Sequence, residues 1–276
     1  MGTWNNKTAI ICGATSGLGL ALTRQLAQQR AAKLFLIART ETTLISLADE
    51  LQAEFPSTEL IPLTADMTSK ESVQRVAAEI GSLPKHPPES IDLLIQAVGK
   101  SSRGDIDSLH ENDITELMQQ NVIASVHATQ HLRSLLKQPG GCIVMIGSLA
   151  SRFAPRFLGG YAIAKHALAA FASQARLELE ESGLHVLLAC PGPIARPDAG
   201  TRYEAHRTKG VPDEALAPGG GAKVKGLDIN KLAIDILSAA HTRKPEIIRP
   251  RKARLLLIAA AISPRLGDWL LRRKTS

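Results

Sequence analysis

Six short apolar runs recur along the chain with helical stretches between them, and no other feature restricts the fold as much. TAIIC (8–12), KLFLIA (33–38), ELIPLTA (59–65), IDLLIQA (91–97), CIVMIG (142–147) and HVLLAC (185–190) are nearly free of charge. Runs of this length suit parallel strands buried on both faces, because a strand with one wet face would alternate polar and apolar residues. GLALTRQLAQQRA, TTLISLADELQAEF, SKESVQRVAAEIGSL, ENDITELMQQNVIASVHATQHLRSLL and YAIAKHALAAFASQARLELEESG separate them, each with helical periodicity. Strand, helix, strand, repeated, predicts an α/β fold: an open parallel sheet with helices on both faces. PKHPPES (84–90) reads as a surface loop. After Cys190 about 35 residues rich in Gly, Pro and charge run to a helical KGLDINKLAIDILSAAH and a last short strand in EIIRP.

A length of 276 residues suits one large α/β domain with its own core, and 44% hydrophobic with 21% charged residues is ordinary globular composition. Cys12, Cys142 and Cys190 each lie inside an apolar run without Cys-x-x-Cys spacing. They read as buried small hydrophobes in a reducing compartment, so neither disulfides nor a metal site is expected. The first strand begins within ten residues, so no cleaved signal peptide is expected, and MGTWNN lacks the Ser or Thr that myristoylation needs at Asn6. From Arg249 onward stand eight basic residues and one acid, Asp268, which accounts for the whole formal charge of +7. The basic character therefore belongs to a tail, and with 3% aromatic residues the body offers no nucleic-acid platform.

Directly after the first run comes GATSGLG, Gly13 to Gly19, leading into a helical stretch. Gly13, Gly17 and Gly19 at a strand-to-helix turn let backbone approach a pyrophosphate, with Thr15, Ser16 and Leu18 between them and the helix N-terminus supplying amide donors. The second run ends in Ala38, Arg39 and Thr40, where dinucleotide folds commonly carry an acid for the ribose hydroxyls. A guanidinium there can grip a 2′-phosphate with two bonds, so NADP(H) is expected over NAD(H).

YAIAK places Tyr161 and Lys165 four residues apart, on one face of a helix. The pair alone would also suit an ordinary helix surface. Ser148, thirteen residues earlier at the end of the fifth run, should converge with it at the ligand crevice, and Asn121 lies in the long preceding helix. A carbonyl that accepts hydride develops negative charge on oxygen, which a serine hydroxyl stabilises and a tyrosine protonates. Free tyrosine titrates at about pH 10, and a neighbouring ammonium lowers that value by favouring phenolate.

GATSGLG, Asn121, Ser148 and YAIAK, in this order and spacing, resemble the short-chain dehydrogenase/reductase family over roughly residues 7 to 250. The resemblance implies a Rossmann-type doubly wound parallel sheet of about seven strands, in a single catalytic domain (1–250) with a substrate loop at 196–226. It implies Tyr161 as acid/base, Ser148 holding the substrate oxygen, Lys165 binding the nicotinamide ribose and tuning the tyrosine, and Asn121 supporting a proton relay. It also implies Asp66 beside the adenine amino group, with Met67, Ala97, Gly99, Pro191, Gly192 and Ile194 along the cofactor. A homodimer or homotetramer follows in the same way. Two departures stand out: the family's Asn-Asn-Ala-Gly reads QAVG here (Gln96 to Gly99), and Arg196 replaces a threonine expected to bind the carboxamide.

The tail, 251–276, has an apolar run of eight residues, Leu255 to Ile262, then Ser263 and Pro264 as a helix start with Leu266, Trp269 and Leu270 on one face. Eight residues are far below the roughly 20 that span a bilayer. The tail reads either as a foot lying on an anionic membrane through 252–273, at the cytoplasmic face, or as a helical pair packed on the body or a second subunit. Its form resembles the membrane-associated branch of the family that reduces ketones on lipids, steroids or retinoids, which implies a hydrophobic carbonyl or secondary alcohol as substrate. The alternative function is an NADPH-binding sensor or scaffold with little turnover.

Overall fold

The computed structural model describes residues 3–83, 90–195, 211–216, 221 and 225–274. Arg196 and most of the 196–226 loop lie outside the described residues. Seven parallel strands, β1 (Thr8–Cys12), β2 (Lys33–Ala38), β3 (Glu59–Thr64), β4 (Leu93–Gln96), β5 (Cys142–Ile146), β6 (His185–Pro191) and β7 (Glu246–Arg249), form one sheet in the order β3-β2-β1-β4-β5-β6-β7. The sheet is the expected doubly wound one. Every residue of β2, β4 and β6 is buried, which is why those segments are apolar at all but their end positions, Lys33, Gln96 and His185. β3 is one of the two edge strands, and its partly exposed residues include Pro62, which an edge tolerates.

Helices α1 (Gly17–Gln28), α2 (Glu41–Glu54) and α7 (Ile229–His241) cover one face; α3 (Lys70–Ser82), α4 (Glu111–Met118), α5 (Ala124–Leu132) and α6 (Tyr161–Leu179) cover the other. Side chains of one strand alternate between the two layers: Ile10 and Cys12 enter the α5–α6 layer, Ala9 and Ile11 the α1–α7 layer. All three cysteines are buried and free, and burial pushes each thiol up to about 12, well out of the reactive range.

The long helix expected before β5 is interrupted. Between α4 and α5 the residues Gln119–Ile123 form a wide π turn that contains Asn121, and Arg133–Leu135 tighten into a 3₁₀ turn. Beyond β7 the chain folds into α8 (Ala253–Ile262) and α9 (Pro264–Lys274).

Candidate active site

Parallel strands all end on one side of the sheet, and the order reverses between β1 and β4, so a crevice opens at their carboxyl ends. Gly13, Thr15 and Ser16 line it from the β1–α1 turn, Arg39 from the end of β2, Asp66 and Met67 from the end of β3, and Ala97, Val98 and Gly99 from the end of β4. Gln120 reaches it from the π turn. Gly13 has φ +87° and Gly17 φ +53°, conformations that L side chains rarely adopt. A Cβ on Gly19 would stand 2.0 Å from the Gly13 carbonyl oxygen, so only glycine lets α1 start this close to the turn. This cradle of bare backbone fits a pyrophosphate.

Other expected cofactor residues are not among those that line the cleft. Leu18 belongs to the hydrophobic layer beneath the turn, and Thr40 sits at the N-terminus of α2. Pro191 ends β6; the next amide, Gly192 N–H, donates to the Arg249 carbonyl at 2.7 Å, and Ile194 bridges to Leu227. Arg39 is exposed and has no carboxylate partner among the described residues. Asp66 turns one carboxylate oxygen toward Thr68, accepting from its amide at 2.9 Å and its hydroxyl at 2.8 Å. Ser69 caps α3, accepting from the Ser72 amide at 3.1 Å.

Tyr161 is the first residue of α6, and Lys165 lies one turn on, its Nζ 5.8 Å from the phenol ring centroid. The lysine is 4% exposed, and its ammonium donates to the Ile146 carbonyl at the end of β5, 2.9 Å away. Burial lowers its pKa to about 8. Ser148, two residues beyond Ile146, has extended backbone; its hydroxyl oxygen accepts from the Ala150 amide at 3.1 Å, which leaves the hydroxyl proton to donate elsewhere. Tyr161 packs against Ala150, Leu158 and Ala162, which brings the phenol beside the turn that Ser148 begins.

Asn121 is buried, and its side-chain amide donates to the carbonyls of Lys100 and Leu117, both at 2.9 Å. Its Oδ1 has no hydrogen-bond partner among the described residues. A Cβ on Gly99 would lie 2.7 Å from that oxygen and 3.4 Å from Lys165 Nζ, so the bare glycine lets the asparagine, the lysine and the β4 terminus meet. Gln96 is buried too and donates through Nε2 to Thr129 Oγ1 of α5 at 2.9 Å. Thr129 in turn donates to the Ser125 carbonyl at 2.8 Å. The altered QAVG segment therefore still ties the sheet to the helix behind it. Sequence reasoning missed Ile37, Ala38, Ala65, Val98 and Gln120 as lining residues; Gln120 had one signal, its position next to Asn121.

A glycine-cradled crevice at the switch point of a doubly wound sheet, with Lys165 and Asn121 both close to the Gly99 that lines it, defines a dinucleotide-binding oxidoreductase. The chain belongs to the short chain dehydrogenase family, whose model matches residues 7–207. It is 30% identical over 255 residues to dehydrogenase/reductase SDR family member 7B of Danio rerio, a match covering 88% of this chain and 77% of that one. It is 29% identical over 213 residues to an NADP-dependent 3-hydroxy acid dehydrogenase of Schizosaccharomyces pombe, covering 76% and 80%. The fold matches a short chain dehydrogenase/reductase of Burkholderia phymatum solved in complex with NAD, at a TM-score of 0.80 and 23% identity, covering 96% of each chain.

Proposed function

We propose that this oxidoreductase is an NADPH-dependent reductase of hydrophobic ketones, or the dehydrogenase of the corresponding secondary alcohols. The observation that carries the reading is the buried Lys165 ammonium held on Ile146 beside the Tyr161 ring, at the same strand end as Ser148. When bound, NADPH supplies a hydride to the substrate carbon. Ser148 donates its hydroxyl proton in a hydrogen bond to the substrate oxygen as charge builds there, and Tyr161 transfers the phenolic proton to that oxygen. Lys165 stabilises the phenolate left behind and contacts the nicotinamide ribose; Asn121 supports the proton relay, and the bare Gly99 leaves room beside both side chains. Asp66 lines the cleft, and its remaining oxygen suits the adenine amino group.

The preference for NADPH rests on Arg39, an exposed guanidinium at the cleft where an acid would repel the 2′-phosphate. Relatives bind cofactors of both kinds by name, so this residue carries the choice. Family membership supports a homodimer or homotetramer, and the tail supports work at the cytoplasmic face of an anionic membrane. The test is NADPH oxidation with a graded series of ketones from small and soluble to long-chain: turnover that rises with chain length supports the reading. NADPH binding without turnover on any ketone would favour the sensor alternative.

A further inference from the structure

Ten large hydrophobic residues stand exposed among the described residues, and five of them, Leu255, Ile258, Ile262, Leu266 and Trp269, lie within α8 and α9. The two helices form a hairpin whose inner faces are already used. Ala253 and Leu257 pack on the core, and Gly267 of α9 is buried so closely against α8 that a Cβ there would lie 2.7 Å from Ala260 Cβ. The outer face is left to Leu255 (70% exposed), Ile258 (57%), Ile262 (78%) and Trp269 (51%). Around it stand the exposed Arg251, Lys252, Arg254, Arg265, Arg272 and Arg273, none paired with a carboxylate among the described residues. Arg273 stacks over the Trp269 ring at 4.8 Å. Arg249, by contrast, is spent on Asp235 inside the body.

We propose that this hairpin is a foot that seats the catalytic end of the molecule on an anionic phospholipid surface. Charge decides between occupants: the segment from Arg251 to Lys274 has seven basic residues against one acid, Asp268. A second copy would bring two such sets together, whereas anionic headgroups take the arginines while the leucines and isoleucines enter the acyl boundary. No described helix is long and apolar enough to cross a membrane, and α8, ten residues long, spans about 15 Å, so the hairpin lies in the surface. Its root also fixes what it brings there. α8 follows β7, Arg249 holds the Gly192 amide, and a Cβ on Gly192 would touch both Pro250 and Leu149, the residue after Ser148. The foot and the cleft thus share the carboxyl end of the sheet, and, granting the ketone-reductase reading above, a substrate dissolved in the bilayer would enter without crossing water.

The full chain, without cofactor, is sedimented with vesicles of phosphatidylcholine alone or with about a third phosphatidylserine. Trp269 is its own reporter, because the other tryptophan, Trp4, is 5% exposed and buried away from lipid. The expected result is pelleting with the anionic vesicles, a blue-shifted emission quenched by brominated acyl chains, and binding about ten-fold or more weaker to neutral vesicles. Ile262→Asp, and separately the pair Arg272→Glu with Arg273→Glu, should weaken binding by about ten-fold or more while turnover of a small soluble ketone changes less than about two-fold. A chain that stays in the supernatant at every composition, or variants that bind like wild type, would overturn the foot. So would Ile262→Asp splitting a dimer in sedimentation velocity, which would assign the face to a second copy. Loss of all ketone turnover in the wild type would remove the reductase reading alone, since pelleting and emission need no catalysis.

Discussion

The ammonium of Lys165 is held by the carbonyl of Ile146 at 2.9 Å, so the helix that carries Tyr161 is pinned to the strand end that leads into Ser148. One bond registers two elements that the chain separates by a loop. It also leaves a cation inside the protein, with consequences for stability as well as chemistry.

Burial lowers Lys165 from its ordinary 10.5 to about 8. The cofactor-free protein is therefore held down in stability below pH 8, where the buried amine must carry charge, and recovers as pH rises from 8 toward 10.5. Lys165→Met removes that dependence. The variant's gain over wild type in thermal denaturation should be larger at pH 7 than at pH 10, with a difference on the order of 3 kcal/mol at most. An equal gain at both values would mean that Lys165 titrates like a surface lysine.

Tyr161→Phe deletes the proton donor and keeps the ring that packs on Ala150 and Ala162. Turnover should fall by about a thousand-fold or more while the NADPH dissociation constant changes little. Retention of even about a tenth of wild-type kcat would place the acid elsewhere.

Arg39→Asp exchanges an exposed guanidinium in the cleft for a charge that repels a 2′-phosphate. The lost charge-assisted bonds predict NADPH binding weaker by roughly ten- to a hundred-fold and NADH binding equal or tighter. Fluorescence titration with both cofactors checks it; an unchanged ratio would put the phosphate on another group.

Gly99→Ala places a methyl 2.7 Å from Asn121 Oδ1 and 3.4 Å from Lys165 Nζ. The backbone there has no positive φ, so the protein should fold, but the Asn121 side chain must shift away from the methyl. We expect kcat to fall about ten-fold or more with a melting temperature near wild type. A variant with normal kcat would show that this position of the Asn121 side chain is not needed for turnover.

Much of the architecture is legible in residue order. Runs such as KLFLIA and HVLLAC are apolar at nearly every position because strands buried on both faces have no wet side, and that local rule yields the sheet and its parallel sense. The glycine turn is legible for a similar reason: the φ of Gly13 and the close approach at Gly19 admit no side chain, so the requirement is written at those positions. The spacing of Tyr161 and Lys165 names a helix face and nothing more. That the lysine's partner is the Ile146 carbonyl, that Asn121 sits in a π turn and not a regular helix, and that Gln96 reaches Thr129 were decided only when strands and helices packed. The tail divides in the same way: its charges and leucines are countable in sequence, but which leucines face outward depends on Gly267 closing against Ala260, a contact between helices that no local pattern specifies.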